Sequence, residues 1–351
     1  MKIEDFDYAL PRELIAQEPV EARDECRLMR VRKGEIREGV FKDIFGFLGR
    51  NDVLVLNESK VFPARIFGRK MIDPSSPRRC GASTWQGGKV EILLLKSLGA
   101  GVWEVMTKPG LKKGQKIIFE EKLLGEVRKG QENELAAKIE FNQRENFFEI
   151  LEKIGKTPIP PYIHNSDEKL LRKNYQTVYA QNYGSAAAPT AGLHFTEKLL
   201  EQLSNQGVEI ETINLNVGLG TFKPIGEREI REGKLHSEFL EIKKEVAERL
   251  NLAKKQGKRI IAVGTTSLRA LESMSDQKGH LGWGSKETEI FIKPGYKFKF
   301  VDSLVTNFHL PKSSLLMLVA AMIGERWREI YAHAIEKKYR FFSFGDAMWI
   351  E

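Results

Sequence analysis

The chain has 351 residues, of which 30% are charged and 41% hydrophobic, with 56 Lys and Arg against 48 Asp and Glu. That length is a prior for two domains, and the composition is that of a packed globular protein rather than a collagen, a mucin stalk or a disordered chain. The formal charge of +8 is compatible with a polyanionic partner without demanding one, and two cysteines, Cys26 and Cys80, exclude a disulfide framework and a cysteine-rich zinc site.

The start, Met1-Lys2-Ile3-Glu4-Asp5, carries acids where a secretion signal needs an apolar core. The longest apolar run, 315–323, is far short of the ~20 residues that a membrane helix needs. A soluble cytoplasmic protein is the expectation. A short helical pattern runs to Gln17, and residues 27–31 and 53–57 read as strands, the second of them buried. From 64 to 141 the texture changes to short strand-like runs at 65–68, 89–96, 102–107, 116–119, 124–128 and 135–141. Glycine-containing turns separate them, which suggests a small all-β unit. The polar stretch 71–86 reads as a mobile loop.

Helical spacing returns with Phe147, Phe148, Leu151 and Ile154, closed by Gly155. The proline-rich run 157–162 must be extended and reads as a connector. Beyond it helices and strands alternate. Thr196 can cap a helix that Gly207 ends, 208–217 is a strand, and Val246, Leu250 and Ala253 share one helical face. Residues 260–263 form a buried strand followed by a helix from about Ser267. The fold class is therefore mixed α/β. An α/β domain with a large mixed sheet, built from 1–63 plus 150–351, is interrupted by a barrel-like β insertion at 64–149. Three consecutive small domains are the alternative, disfavoured because the segment before Ala64 is too short to bury a core.

Several turns carry chemistry. The run Gly184-Ser185-Ala186-Ala187-Ala188-Pro189-Thr190-Ala191-Gly192-Leu193-His194-Phe195-Thr196 places small residues and a histidine before a helix. It fits a ligand turn with His194 as acid or base, and equally a packed turn with a structural histidine. Gly218-Leu219-Gly220-Thr221-Phe222 lacks the third glycine of a dinucleotide fingerprint, so it reads as a loop over a nucleoside or as a strand-end turn. In Gly264-Thr265-Thr266-Ser267-Leu268-Arg269 hydroxyls and free N–H groups meet at a helix start, which suits a carboxylate or phosphate, with Arg269 adding a bidentate contact. His309 and Lys312 sit at another helix mouth. The run 339–348 reads as a strand with base-stacking aromatics, Arg340, and Asp346 at its end. Tyr162, Tyr175 and Gln176 can line an RNA groove or pack a connector. The six histidines show no metal-ligand spacing, so no metal is expected.

Taken in order, these segments resemble one family, the S-adenosylmethionine:tRNA ribosyltransferase-isomerases of queuosine biosynthesis. The resemblance is carried by Phe6-Asp7-Tyr8, Leu14-Ile15-Ala16-Gln17, Arg23-Asp24, Pro63-Ala64-Arg65, Lys89-Val90-Glu91, Tyr175-Gln176-Thr177-Val178-Tyr179 and the 184–196 run. It continues through Gly218-Leu219-Gly220-Thr221-Phe222, 263–269, Pro294-Gly295-Tyr296, 306–314 and 340–348, nearly end to end. Asn216, Asn57-Glu58-Ser59-Lys60, Lys293 and the long 71–86 turn depart from the family's usual residues.

The resemblance implies transfer of the ribosyl moiety of S-adenosylmethionine to 7-aminomethyl-7-deazaguanine at the tRNA wobble position. Adenine and methionine leave and epoxyqueuosine-tRNA forms. S-adenosylmethionine is then a co-substrate, no further cofactor is expected, and the partner is a tRNA anticodon stem-loop met by a monomer. Catalysis would fall to His194, with His309 second and Asp346 holding a ribose hydroxyl or the deazaguanine edge. Gly218, Gly220, Thr221 and Phe222 would cover the adenosyl group, and Thr265, Thr266, Ser267 and Arg269 would hold the methionine carboxylate. Tyr162, Tyr175, Gln176, Lys312 and Arg340 would meet RNA. The competing readings are an S-adenosylmethionine-dependent RNA methyltransferase, which lacks its usual N-terminal glycine motif here, and a non-catalytic RNA-binding protein, which lacks its aromatic signature.

Overall fold

The computed structural model describes residues 2–33, 35–71, 86–130, 136–164, 167–218 and 225–351. Nearly all of the expected 71–86 loop lies outside the described residues, as do Gly220, Thr221 and Phe222. The N-terminal part holds β1 (Arg27–Arg32), β2 (Glu35–Val40), β3 (Asp52–Asn57) and β4 (Ser59–Val61). Then come β5 (Arg65–Met71), β6 (Gln86–Ser97), β7 (Val102–Lys108), β8 (Lys116–Ile118), β9 (Leu124–Lys129), β10 (Ala137–Phe141) and α1 (Phe147–Ile154). The next stretch holds α2 (Glu168–Asn174), β11 (Asn182–Ser185), α3 (Glu197–Asn205), β12 (Glu209–Leu215), α4 (Glu227–Glu232), β13 (Lys234–Ile242) and α5 (Lys244–Lys255). The last holds β14 (Arg259–Val263), α6 (Gly264–Met274), β15 (Gly284–Ile290), β16 (Ser303–Asn307), α7 (Ser314–Ile323), α8 (Trp327–Glu336) and β17 (Ala347–Ile350).

Two compact units result, one of Met1–Lys60, Pro160–Asn182 and Ala188–Glu351, the other of Val61–Ile159 and Tyr183–Ala187. The first is built on a mixed sheet in the order β15-β13-β12-β3-β14-β16-β17-β1-β2. Its centre is parallel, with β12, β3, β14 and β16 running together. β3 is buried from end to end, as a strand covered on both faces requires. On one face Leu54, Leu56, Ile261 and Val263 pack against Leu199 and Leu203 of α3 and against Phe41 and Ile44. Ile260 and Ala262 alternate to the other face, where α5 and α6 lie on β12 and β14. Thr196 caps α3 as its type predicts, its hydroxyl accepting from the Leu199 N–H at 3.1 Å.

In the second unit β10-β7-β6-β5-β8-β9 close into a barrel. Every second residue points inward, giving a core of Val90, Ile92, Leu94, Val105, Val127 and Ile139 among others. The unit is wider than 64–149, also taking in residues 61–63, 150–159 and 183–187, and Ile150 and Leu151 of α1 belong to that same core. Glycine is required at Gly125, where a Cβ would stand 2.9 Å from the Ile139 side chain.

Local pattern misled at two places. The helical pattern ending at Gln17 is a single 3-10 turn, Arg12–Leu14. The aromatic run 339–344 is a turn, with Phe342 at a φ of 71°, and the strand begins only at Ala347. Pattern reading counts apolar residues, and here they are apolar because the turn is buried. Among the described residues no helix is long and apolar enough to cross a membrane.

Ile139 is fully buried in the barrel. Ile139→Ala should cost about 3 kcal/mol in denaturant-induced unfolding; a loss below about 1 kcal/mol would show that the barrel interior closes around the missing atoms.

Candidate active site

Strand β14 runs straight into α6, and Gly264 makes the junction with a φ of 87° that side chains rarely adopt. The helix therefore begins three residues before the expected Ser267. Thr265, Thr266 and Ser267 all lie in its first turn, where backbone N–H groups have no intrahelical partner. This turn opens on a cavity of about 40 Å³ at the carboxyl ends of the parallel strands. Val217, Thr265, Thr266, Asn307 and His309 line it, together with residues 188–191. Ligands gather at this edge of open α/β sheets. A larger cavity of about 230 Å³ beside Arg30, Arg32 and Arg37 lies at the other end of the sheet, away from every predicted site residue.

The hydroxyls of the turn differ in their commitments. Ser267 Oγ donates to the Val263 carbonyl at 2.8 Å and is spent on the backbone. Thr266 Oγ1 is buried and has no partner among the described residues. One turn further along α6, Arg269 is 3% exposed and its Nη1 donates to Glu238, itself 2% exposed. The other Glu238 oxygen accepts from the Gly218 N–H at 3.3 Å, which ties the pair to the end of β12. A second buried carboxylate, Glu272, accepts from the Tyr296 hydroxyl and from the backbone N–H groups of Lys299, Phe300 and Val301.

The two candidate histidines have different surroundings. His309 lines the cavity, and its Nε2 lies 2.9 Å from Thr306 Oγ1. Its backbone is held on both sides: the N–H donates to the Tyr331 oxygen at 3.1 Å and the carbonyl accepts from the Tyr8 hydroxyl. His194 does not line this cavity. Its Nε2 accepts from Asn307 Nδ2 at 3.0 Å, and its Nδ1 faces Cys26 Sγ at 3.1 Å. Asn307 also donates to the Phe342 carbonyl and accepts from Thr190 Oγ1. These bonds assign the proton to Nδ1 and leave neither ring nitrogen free for a substrate. Burial pushes both imidazoles down to about 3, and the nearby Arg340 and Arg23 charges push His194 the same way.

The remaining predicted residues separate from this cavity. Asp346 spends one oxygen on the Arg27 N–H at 3.0 Å and the other on the Arg340 N–H at 2.7 Å, so it pins backbone. Burial raises its pKa. Tyr175 is 1% exposed, its ring edge-on to Phe344, and offers no face to a base. The Tyr162 hydroxyl meets Ser343 Oγ at 2.8 Å, and its ring lies on Phe342. The Gln176 carbonyl accepts from Arg23, and Arg340 donates to the Phe344 carbonyl. Lys312 pairs with Asp7 at 2.8 Å with its side chain partly in solvent. Asn307, Glu238 and Glu272 were not singled out from sequence. For Glu272 the usable signal was the three-residue spacing of Thr266, Arg269 and Glu272 along one face of α6.

The chain matches the family described as queuosine biosynthesis protein over residues 3–350. It is similar to proteins named S-adenosylmethionine:tRNA ribosyltransferase-isomerase from Halothermothrix orenii, 48% identical, and Acetivibrio thermocellus, 49% identical, each covering 100% of both chains. It is also similar to the crystal structure of an S-adenosylmethionine tRNA ribosyltransferase from Thermotoga maritima. That likeness has 34% identity and a TM-score of 0.53, and covers 99% of this chain and 100% of that one.

The neutral histidines make stability depend on pH. Each folded imidazole titrates near 3, against an ordinary value of 6.5, so between those values the unfolded chain binds more protons. Stability is then full above pH 6.5 and falls as pH drops, by up to about 1.4 kcal/mol per pH unit for each histidine. Urea unfolding of His194→Gln at pH 5, 6 and 7 should show a flatter acid limb than the parent; an unchanged slope would mean that His194 is not held neutral.

Proposed function

The chain belongs to the queuosine biosynthesis family of S-adenosylmethionine:tRNA ribosyltransferase-isomerases, and from that premise we propose that the cavity at the start of α6 is its reaction site. The reaction transfers the ribosyl moiety of S-adenosylmethionine to 7-aminomethyl-7-deazaguanine in tRNA and isomerises it, giving epoxyqueuosine-tRNA with release of adenine and methionine. The observation that carries the placement is the convergence on one cavity of a helix N-terminus, an unpaired threonine hydroxyl and a neutral histidine.

A volume of about 40 Å³ takes the end of a ligand and not a whole nucleoside, since on this measure one water already needs roughly 10–15 Å³. The methionine end of S-adenosylmethionine fits this description, with Thr265, Thr266 and the first N–H groups of α6 on the side of its carboxylate. The sulfonium makes the adjoining ribose carbon electrophilic. The aminomethyl nitrogen of the base must shed its extra proton to attack, and a proton must leave the adenosyl group for ring opening. His309 is the proton carrier in this reading, because it lines the cavity in its neutral form while His194 is bonded at both nitrogens. His194 then acts through Asn307, which reaches the cavity wall from behind. The larger, sheet-based unit is the catalytic domain. The partner is the anticodon stem-loop, met in the cytoplasm by a single chain, and the positive excess favours its phosphates.

Incubation with S-adenosylmethionine and tRNA carrying the aminomethyl-deazaguanine should release adenine and methionine, and tRNA carrying guanine should not. S-adenosylhomocysteine among the products would identify a methyltransferase instead, and RNA binding without turnover a non-catalytic module. His309→Gln should lower kcat about 10²- to 10⁴-fold and leave the KM for S-adenosylmethionine within about threefold; an unchanged kcat would remove His309 from the chemistry.

A further inference from the structure

Arg269 is a buried cation with two of its three nitrogens unused. Its Nη1 is taken by Glu238, yet Nε and Nη2 are buried and have no partner among the described residues. Buried charged donors are almost always paired, because leaving one unmade forfeits its hydration. Nε and Nη2 lie on the same edge of the planar guanidinium, the fork that matches two oxygens of one carboxylate. Glu238 holds the opposite side of the group and is itself fixed by the Gly218 N–H, next to the cavity-lining Val217. Thr266, whose hydroxyl is also unpartnered and which lines the cavity, lies three residues before Arg269 and so on the same face of α6.

We infer that the Nε/Nη2 edge of Arg269 takes the α-carboxylate of S-adenosylmethionine, and that Glu238 is the positioning residue that turns this edge toward it. The inference rests on the reading of the cavity as the reaction site and names the group that the site recognises. Glu238 neutralises Arg269 while no ligand is bound and fixes its rotation, so the fork is preorganised. A lysine at 269 would keep the charge and lose the fork. A site built around such a pair reads the carboxylate specifically, because an analogue without it leaves both donors unpaired.

The test is calorimetric binding of S-adenosylmethionine and of decarboxylated S-adenosylmethionine to the full chain and to Arg269→Gln, Arg269→Lys and Glu238→Gln. The parent should prefer the carboxylate ligand about 100-fold. Arg269→Gln should bind the two ligands within about threefold of each other, and Arg269→Lys should lose most of the preference. Glu238→Gln should lower the preference about tenfold and leave affinity for the decarboxylated ligand unchanged. A parent that binds S-adenosylmethionine without preference overturns the inference, as does Arg269→Gln weakening both ligands equally, the result of a merely structural role. A parent that binds neither ligand overturns the reading of the chain as an S-adenosylmethionine enzyme, and the inference with it. Arg269→Lys and the parent's own preference keep the test decisive if Arg269→Gln fails to fold.

Discussion

The positive φ at Gly264 lets a helix begin on the residue after a buried strand, and the site depends on that junction. With no connecting loop, the first turn of α6 is held by the sheet itself. Its free N–H groups are aimed by the most rigid part of the molecule, β14 between β3 and β16. Any side chain at 264 would meet an unfavourable φ, and its Cβ would stand 3.3 Å from Thr266 Oγ1. The turn would then shift, and the N–H groups, Thr266 and Arg269 would shift with it. A site on rigid elements holds its groups more closely than one on loops.

The same helix carries a gradient of satisfaction. Glu272, on its second half, has both oxygens occupied by the segment 296–301 and is completed without a ligand. Thr266 and Arg269, on its first half, are incomplete. One helix face thus passes from groups that hold the fold to groups that await a partner. Polar networks in a low-dielectric interior stabilise when full and cost when partial. Along α6 the unpartnered groups are those toward its start, where Thr266 lines the cavity.

Much of the architecture was legible because its signals are periodic. The buried β3 and β14, the amphipathic face of α5 and the alternation of the barrel strands follow from apolar spacing alone. The site was legible as segments and less so as roles. The 263–269 turn and the 306–309 strand end were marked by their small and polar residues, and both line the cavity. The ranking of histidines was not legible, because it depends on which ring nitrogens Asn307, Cys26 and Thr306 occupy, and only tertiary packing decides that. Tyr175 was read as an RNA contact for its ring, and only tertiary packing shows that the ring has no open face. Glu238 lies in a strand whose other charged residues are solvent-facing, so its burial leaves no local signature.

Burial holds His309 in its neutral form, the form that can accept a proton in the proposed reaction. Efficiency in proton transfer depends on both directions of the step. A neutral His309 takes a proton reluctantly, so it stays unprotonated while the sulfonium and the methionine ammonium are nearby, since both charges oppose an imidazolium. Once it has taken the proton, the same burial makes it a strong acid with a short lifetime. Adenine leaves more readily with a proton than without one. A residue that accepts one proton under protest and hands it on at once serves both needs.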